Sequence, residues 1–269
     1  MLTREAEFYR ALSGEPVEYP PDAIDLGSYH EQSRRRRPPV SVAAAIGALL
    51  ASLHRMPLKL LPPRHSQPPF LTPHRPAPGH LGTAGTALDL IRIVKGTTGF
   101  GERLDAVAAT WSSIAPTHQD LSGGTILVRG RRPRVTLVGW ESAGPGDPRW
   151  DIGSVLAHYL TLWISSIPDS SLAALRPLET VQPAMRACWH GYADAMGMKG
   201  EAPQRFLATT MPFAAVRLVR AALESAQTSP RPTAAQLLHL QVAHNILERP
   251  YESAAQLFLS AGSGRRPAG

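Results

Sequence analysis

The chain has 269 residues, 43% of them apolar, enough for one globular unit with a real core. Lys plus Arg (28) exceed Asp plus Glu (21), a balance of +7 that favours anionic partners such as an acidic peptide, a phosphate or nucleic acid. A single cysteine, Cys188, excludes an internal disulfide and a cysteine-based metal site.

Met1 to Leu12 is charged and amphipathic rather than a signal peptide. The apolar runs look too short for a membrane span, so the expectation is a cytoplasmic protein with no membrane partner. Gly14 to Pro39 is rich in Pro and charge and carries the run Arg34-Arg35-Arg36-Arg37. Two readings stay open for the run, a solvated loop or a contact for an anion or acidic peptide. Without interleaved aromatics or a zinc-finger or RNA-module signature, specific nucleic-acid recognition is not expected.

Val42, Ile46, Leu49, Leu50 and Leu53 share one face, predicting a helix from about Ser41 to His54. Ser41 is the expected N-cap and Pro57 the stop. Pro62 to Pro78 reads as an extended or mobile linker; the irregular spacing of His65, His74 and His80 argues against a metal site. Gly96-Thr97-Thr98-Gly99-Phe100-Gly101 lacks the Walker ending and reads as a loop before a helix from Leu104 to Trp111. Ile152, Val155, Leu156, Tyr159, Leu162 and Trp163 form a buried helical stripe. Leu207, Met211, Ala214, Ala215, Leu218 and Ala222 form another, and Ala234 to Leu247 a third helix. Cys188, beside Met185, Ala187 and Trp189, reads as a buried small hydrophobe. The chain past Leu259 reads as a frayed tail.

The densest chemistry lies in Thr117-His118-Gln119-Asp120-Leu121-Ser122-Gly123-Gly124-Thr125-Ile126-Leu127-Val128. A polar Arg129 to Arg134 hairpin follows, then Val135 to Glu141 and Gly146-Asp147-Pro148-Arg149-Trp150-Asp151. A lone His-x-Asp is a weak signal; the joint spacing is a stronger one. The layout resembles the catalytic block of aminoglycoside-phosphotransferase-like and choline-kinase-like enzymes. There the pattern is His-x-Asp, an Asn after four residues, a strand, then Ile-Asp-Trp. The resemblance implies an α+β, mostly helical fold, a protein-kinase-like large lobe with a small catalytic-loop hairpin.

In that family the first Asp orients the attacking hydroxyl and accepts its proton, while the Asn and second Asp hold Mg²⁺. The resemblance thus makes Asp120 a candidate base and His118 part of the motif scaffold. Thr125 stands at the Asn position and Gly139 at the second Asp, so no metal ligand set is implied and no cofactor-binding residue is assigned. Asp147 and Asp151 read as a turn residue and an N-cap. Met1 to Leu12 resembles the small-lobe helix, with Glu5 or Glu7 as remnants of the ion pair to a phosphate-binding Lys. The implied organisation is a small-lobe remnant over residues 1–40, a helical large lobe over 41–260 and a disordered tail over 261–269.

Trp150 to Leu156, Tyr159-Leu160, Trp163 to Pro168 and Asn245 to Pro250 resemble the kinase-like proteins of class V lanthipeptide and thioamitide pathways. Those proteins phosphorylate Ser or Thr of a precursor peptide, and a separate lyase eliminates the phosphate. Two functions follow. One is a pseudokinase that binds a precursor peptide or a lyase partner. The other is an active phosphotransferase using ATP and Mg²⁺, completed by a partner chain or by Glu141, which on a strand would face the same side as Gly139.

Overall fold

The computed structural model describes residues 23–32, 37–60, 67–68, 70–76, 85–130, 134–167 and 175–258. The expected Met1 to Leu12 helix, Arg34 to Arg36, His65, His80 and the tail from residue 261 lie outside the described residues. In chain order the elements are β1 (Ile24–Asp25), α1 (Leu26–Gln32), α2 (Val40–His54), α3 (Gly85–Gly96), α4 (Phe100–Ala109), β2 (Ala115–Thr117), β3 (Ile126–Arg129), β4 (Arg134–Leu137), β5 (Gly144–Gly146), α5 (Pro148–Ile164), α6 (Gln182–Ala195), α7 (Ala202–Ser225), α8 (Ala234–Glu248) and α9 (Pro250–Phe258).

The fold is α+β and mostly helical, as expected. β1, β3 and β4 form one antiparallel sheet in that order, and β2 pairs with β5 in a second. In the hairpin, Ile126 faces Leu137 and Val128 faces Val135. Ile126 and Val128 alternate inward with Leu127 and Arg129 outward, the period of a half-buried strand. Gly130, at φ 75°, starts the turn back.

The helices bury the expected stripes. α2 covers Val42, Ile46, Leu50 and Leu53, while α5 buries Ile152, Val155, Leu156 and Tyr159. α2 packs along α6, and α7 lies between α5 and α8. α2 opens one residue before the predicted start. Pro39, not Ser41, stands at its N-cap, with no side-chain cap bond. A proline there forfeits no helical hydrogen bond.

Three further expectations are corrected. The 70–76 stretch of the supposed linker packs: Leu71 and His74 are buried and Arg75 pairs with Asp105. The helix placed at Leu104 to Trp111 instead runs Phe100–Ala109, opened by Gly99 in the left-handed region at φ 72°. And α7, continued to Thr228, is long and apolar enough to cross a membrane by length and composition. Its apolar window is 72% buried inside the fold, the pattern of a core helix.

Candidate functional site

Between β2 and β3 the chain turns through His118, Gln119 and Asp120 and then a 3-10 turn at Gly123–Thr125. Asp151, in the first turn of α5, holds this loop from inside. Its carboxylate accepts the His118 N–H at 2.7 Å and the Gln119 N–H at 3.0 Å. His54 Nε2 lies 3.2 Å from the same group, and both side chains are fully buried. Asp151 is therefore not the helix cap. Asp147 is the N-cap, accepting the Arg149 N–H at 3.0 Å and also the Ser112 N–H and hydroxyl. Hydrogen bonds to an ionised acceptor are the strong ones, so α5 fixes the loop through its first turn.

Gln119 is the one non-glycine residue at positive φ (66°) among the described residues. Such a conformation persists only when its surroundings over-determine it. Here the Gln119 carbonyl accepts from Trp150 Nε1 at 2.8 Å, and its amide donates to the Pro145 carbonyl at 3.2 Å.

His118 is fully buried. Its Nε2–H donates to the Val138 carbonyl at 2.8 Å, leaving Nδ1 to accept the Asp120 N–H at 3.3 Å. Burial lowers its pKa, against the pull of Asp151. A neutral imidazole thus ties the loop to the end of β4.

The two positions that the resemblance assigns to metal do converge. A Cβ on Gly139 would stand 3.1 Å from Thr125 Cγ2. Thr125 Oγ1, however, accepts the Ser122 N–H at 2.9 Å and donates back to the Asp120 or Ser122 carbonyl, closing the 3-10 turn. Gly139 sits at φ 79° with no side chain. A Mg²⁺ site wants one or two carboxylates in near-octahedral geometry. One hydroxyl engaged in a turn and one glycine do not fit that ion.

Glu141 changes place relative to expectation. β4 ends at Leu137, and Glu141 lies in a 3-10 turn over Trp140–Ser142, so a shared strand face does not exist. Its carboxylate reaches the spot by another route, with Oε2 3.7 Å from where a Cβ on Gly139 would be.

Asp120 points the other way, toward α7. Its Oδ1 accepts from Arg220 Nη1 at 3.1 Å, and Arg217 Nη1 stands 4.0 Å off. The carboxylate is 43% exposed, whereas Arg217 and Arg220 are 9% and 14% exposed. Sequence reasoning missed both arginines. The available signal was two cations three residues apart inside the apolar stripe from Leu207 to Ala222, where burial requires a partner.

Size alone does not locate this site. A cavity of about 470 Å³ lies between α1 and the end of α5, lined by His30, His158, Thr161, Trp163 and Arg176, and none of the motif residues borders it. Cys188 is fully buried, and burial pushes its thiol up to about 12. It is a packing residue, not a nucleophile.

The profile of the phosphotransferase enzyme family (APH) matches residues 2–186. Among solved structures, the chain is similar to a crystal structure of LicA in complex with AMP. The likeness has a TM-score of 0.42 and 14% identity, over 87% of this chain and 68% of that one. No curated protein matches the chain.

Proposed function

The chain belongs to the phosphotransferase enzyme family, and from that premise we propose that it is a degenerate member, a pseudokinase that binds a peptide or partner protein without metal-dependent phosphoryl transfer. The observation that carries this reading is the state of the two family metal positions. The Thr125 hydroxyl closes its own turn and Gly139 offers no side chain. Phosphoryl transfer relies almost wholly on positioning and charge neutralisation around the phosphates. A site that lacks those donors retains the scaffold without the neutralising ion. The ion pair between Asp120 and Arg220 supports the same reading, because the candidate base already has a partner.

The partner we propose is a precursor peptide, or the lyase that acts on it, in ribosomal-peptide natural-product biosynthesis. Its support is the resemblance carried by Trp150 to Pro168 and Asn245 to Pro250. A second reading, an active ATP- and Mg²⁺-dependent phosphotransferase, is favoured by one observation, the approach of the Glu141 carboxylate to the vacant side-chain position of Gly139.

Thermal-shift titration with ATP, with and without Mg²⁺, separates the two. A ligand that binds the folded state raises its stability by mass action, about 2.7 kcal/mol at a hundred times Kd. The pseudokinase reading expects no Mg²⁺-dependent shift at millimolar nucleotide. A Mg²⁺-dependent shift abolished by Glu141→Gln, with turnover abolished by Asp120→Asn, would establish the second reading instead.

A further inference from the structure

The two arginines facing Asp120 are held from behind. Arg217 donates through Nη2 to the Leu121 carbonyl at 2.6 Å, and its guanidinium lies 5.4 Å from the centre of the Trp150 ring. Arg220 donates through Nε to Glu224 at 2.5 Å and lies 4.1 Å from the centre of the Phe70 ring. Both guanidiniums are thus held in place, each with one nitrogen within 4.0 Å of the same spot, now taken by a single carboxylate oxygen of Asp120. That oxygen does not fill it. It bonds Arg220 at 3.1 Å but remains 4.0 Å from Arg217 Nη1, a buried donor with no hydrogen-bond partner. Burial, together with the adjacent Arg220, brings the Arg217 pKa down to about 10, the mark of a cation short of compensation.

We propose that Arg217 and Arg220 form a metal-independent seat for a phosphate monoester, the phosphorylated hydroxyl of a peptide, and that Asp120 is its stand-in and turns out to solvent when the phosphate enters. The proposal rests on the pseudokinase reading and specifies the ligand of that site. A flat carboxylate satisfies one of the two forks. A tetrahedral group with three acceptor oxygens and close to two negative charges reaches both. Arginine forks suit this task better than lysine because their donors are planar and fixed. The exit of Asp120 is open, since its side chain is 43% exposed. With Asp120 turned away, Arg220 keeps Glu224 and Arg217 keeps only the weaker pull of Glu224 and Asp151, so the entering dianion replaces the negative charge that leaves.

The test is calorimetric titration of the full chain in EDTA with a phosphoserine peptide, the same peptide carrying serine, one carrying aspartate, and inorganic phosphate. The phosphoserine peptide is expected to bind saturably, with inorganic phosphate competing, and the serine and aspartate peptides at least tenfold more weakly. Arg220→Gln is expected to weaken binding by about tenfold or more, the worth of a hydrogen bond to a charged group. Asp120→Asn is expected to tighten binding several-fold, because the competing carboxylate is neutralised. The melting temperature of each unliganded variant confirms that it folds. Equal binding of the serine and phosphoserine peptides overturns the seat, as does binding indifferent to Arg220→Gln or weakened by Asp120→Asn. Failure here leaves the pseudokinase reading standing on its ATP titration. Mg²⁺-dependent turnover would remove that reading whatever the seat does.

Discussion

Asp151 shows how much of the loop depends on one buried carboxylate. It accepts two backbone N–H groups, those of His118 and Gln119, and faces His54, all out of contact with water. Asp151→Asn puts an amide donor where one of those N–H groups needs an acceptor. Hydrogen bonds to charged groups contribute about 1.5–3 kcal/mol each, so the variant should lose on the order of 3 kcal/mol in urea unfolding. A loss below about 1 kcal/mol would show that the loop holds its conformation unaided. The metal positions allow the opposite experiment, adding a function. Thr125→Asn with Gly139→Asp returns the family's donor pair to a spot that Glu141 already borders. An aspartate at φ 79° costs on the order of 1 kcal/mol, and the threonine turn closure is lost as well. The double variant should be less stable than the parent yet gain a Mg²⁺-dependent rise in melting temperature that the parent lacks. No such rise would place the defect elsewhere than in these two residues.

At the scale of elements, α2 and α6 approach closely because small residues face each other. A Cβ on Gly47 would collide with the Cys188 carbonyl, and one on Gly191 would meet the Ala44 carbonyl at 2.5 Å. Those obstacles are backbone and cannot rotate away. Overpacking a tight core typically costs about 1–3 kcal/mol, and Gly47→Ala should reach or exceed the top of that range. A melting temperature within a degree of the parent would refute this packing. The helices legible in the sequence are those whose own stripe is strong: α2 and α8 match their expected bounds to within a residue, while α5 and α7 contain their stripes but start several residues earlier than the stripes show. α3 escaped because it directly follows a proline-rich stretch without period. The packed 70–76 segment escaped because its packing depends on partners distant in sequence, Asp105 for His74 and Arg220 for Phe70. The loop residues His118 and Asp120 stood out as a spacing motif. Arg217 and Arg220 did not, since only the fold brings residues about a hundred positions apart together.

Across the whole molecule, a pair of histidines helps join the N-terminal part of the described chain to the helical core. His30 on α1 and His158 on α5 meet with Nδ1 and Nε2 3.2 Å apart and rings stacked at 22°. A single proton fits between those nitrogens, so the two rings cannot both be protonated while the contact holds. Burial pushes His30 down to about 4 and His158 to about 3, from an ordinary 6.5. Asp25 pulls His158 the other way, less strongly. In the unfolded chain both rings take up protons near pH 6.5, while the folded chain refuses them until about pH 4 and below. The unfolded state therefore binds more protons across that window, and stability must fall as pH drops. The contribution is fully present above pH 6.5 and lost by the time pH passes the folded values. Each unit of depression corresponds to about 1.4 kcal/mol, so the pair should lose on the order of several kcal/mol. His74, His118 and His239 are depressed in the same direction and for the same reason, and they add to the slope. The expected melting profile is level from pH 8 to 7 and declines steeply between 6.5 and 4. His158→Phe should decline less steeply over that window, by about one proton's worth of slope. The consequence reaches the site, because α1 stands on the His118 to Thr125 loop: a Cβ on Gly123 would lie 2.9 Å from the His158 ring and 3.2 Å from the Gly27 nitrogen. Acid should therefore loosen β1 and α1 from the loop before the α2–α6 core melts, with amide exchange rising first at Asp25 to Gln32. Exchange rising first in α6 would place the weak point in the helical core instead.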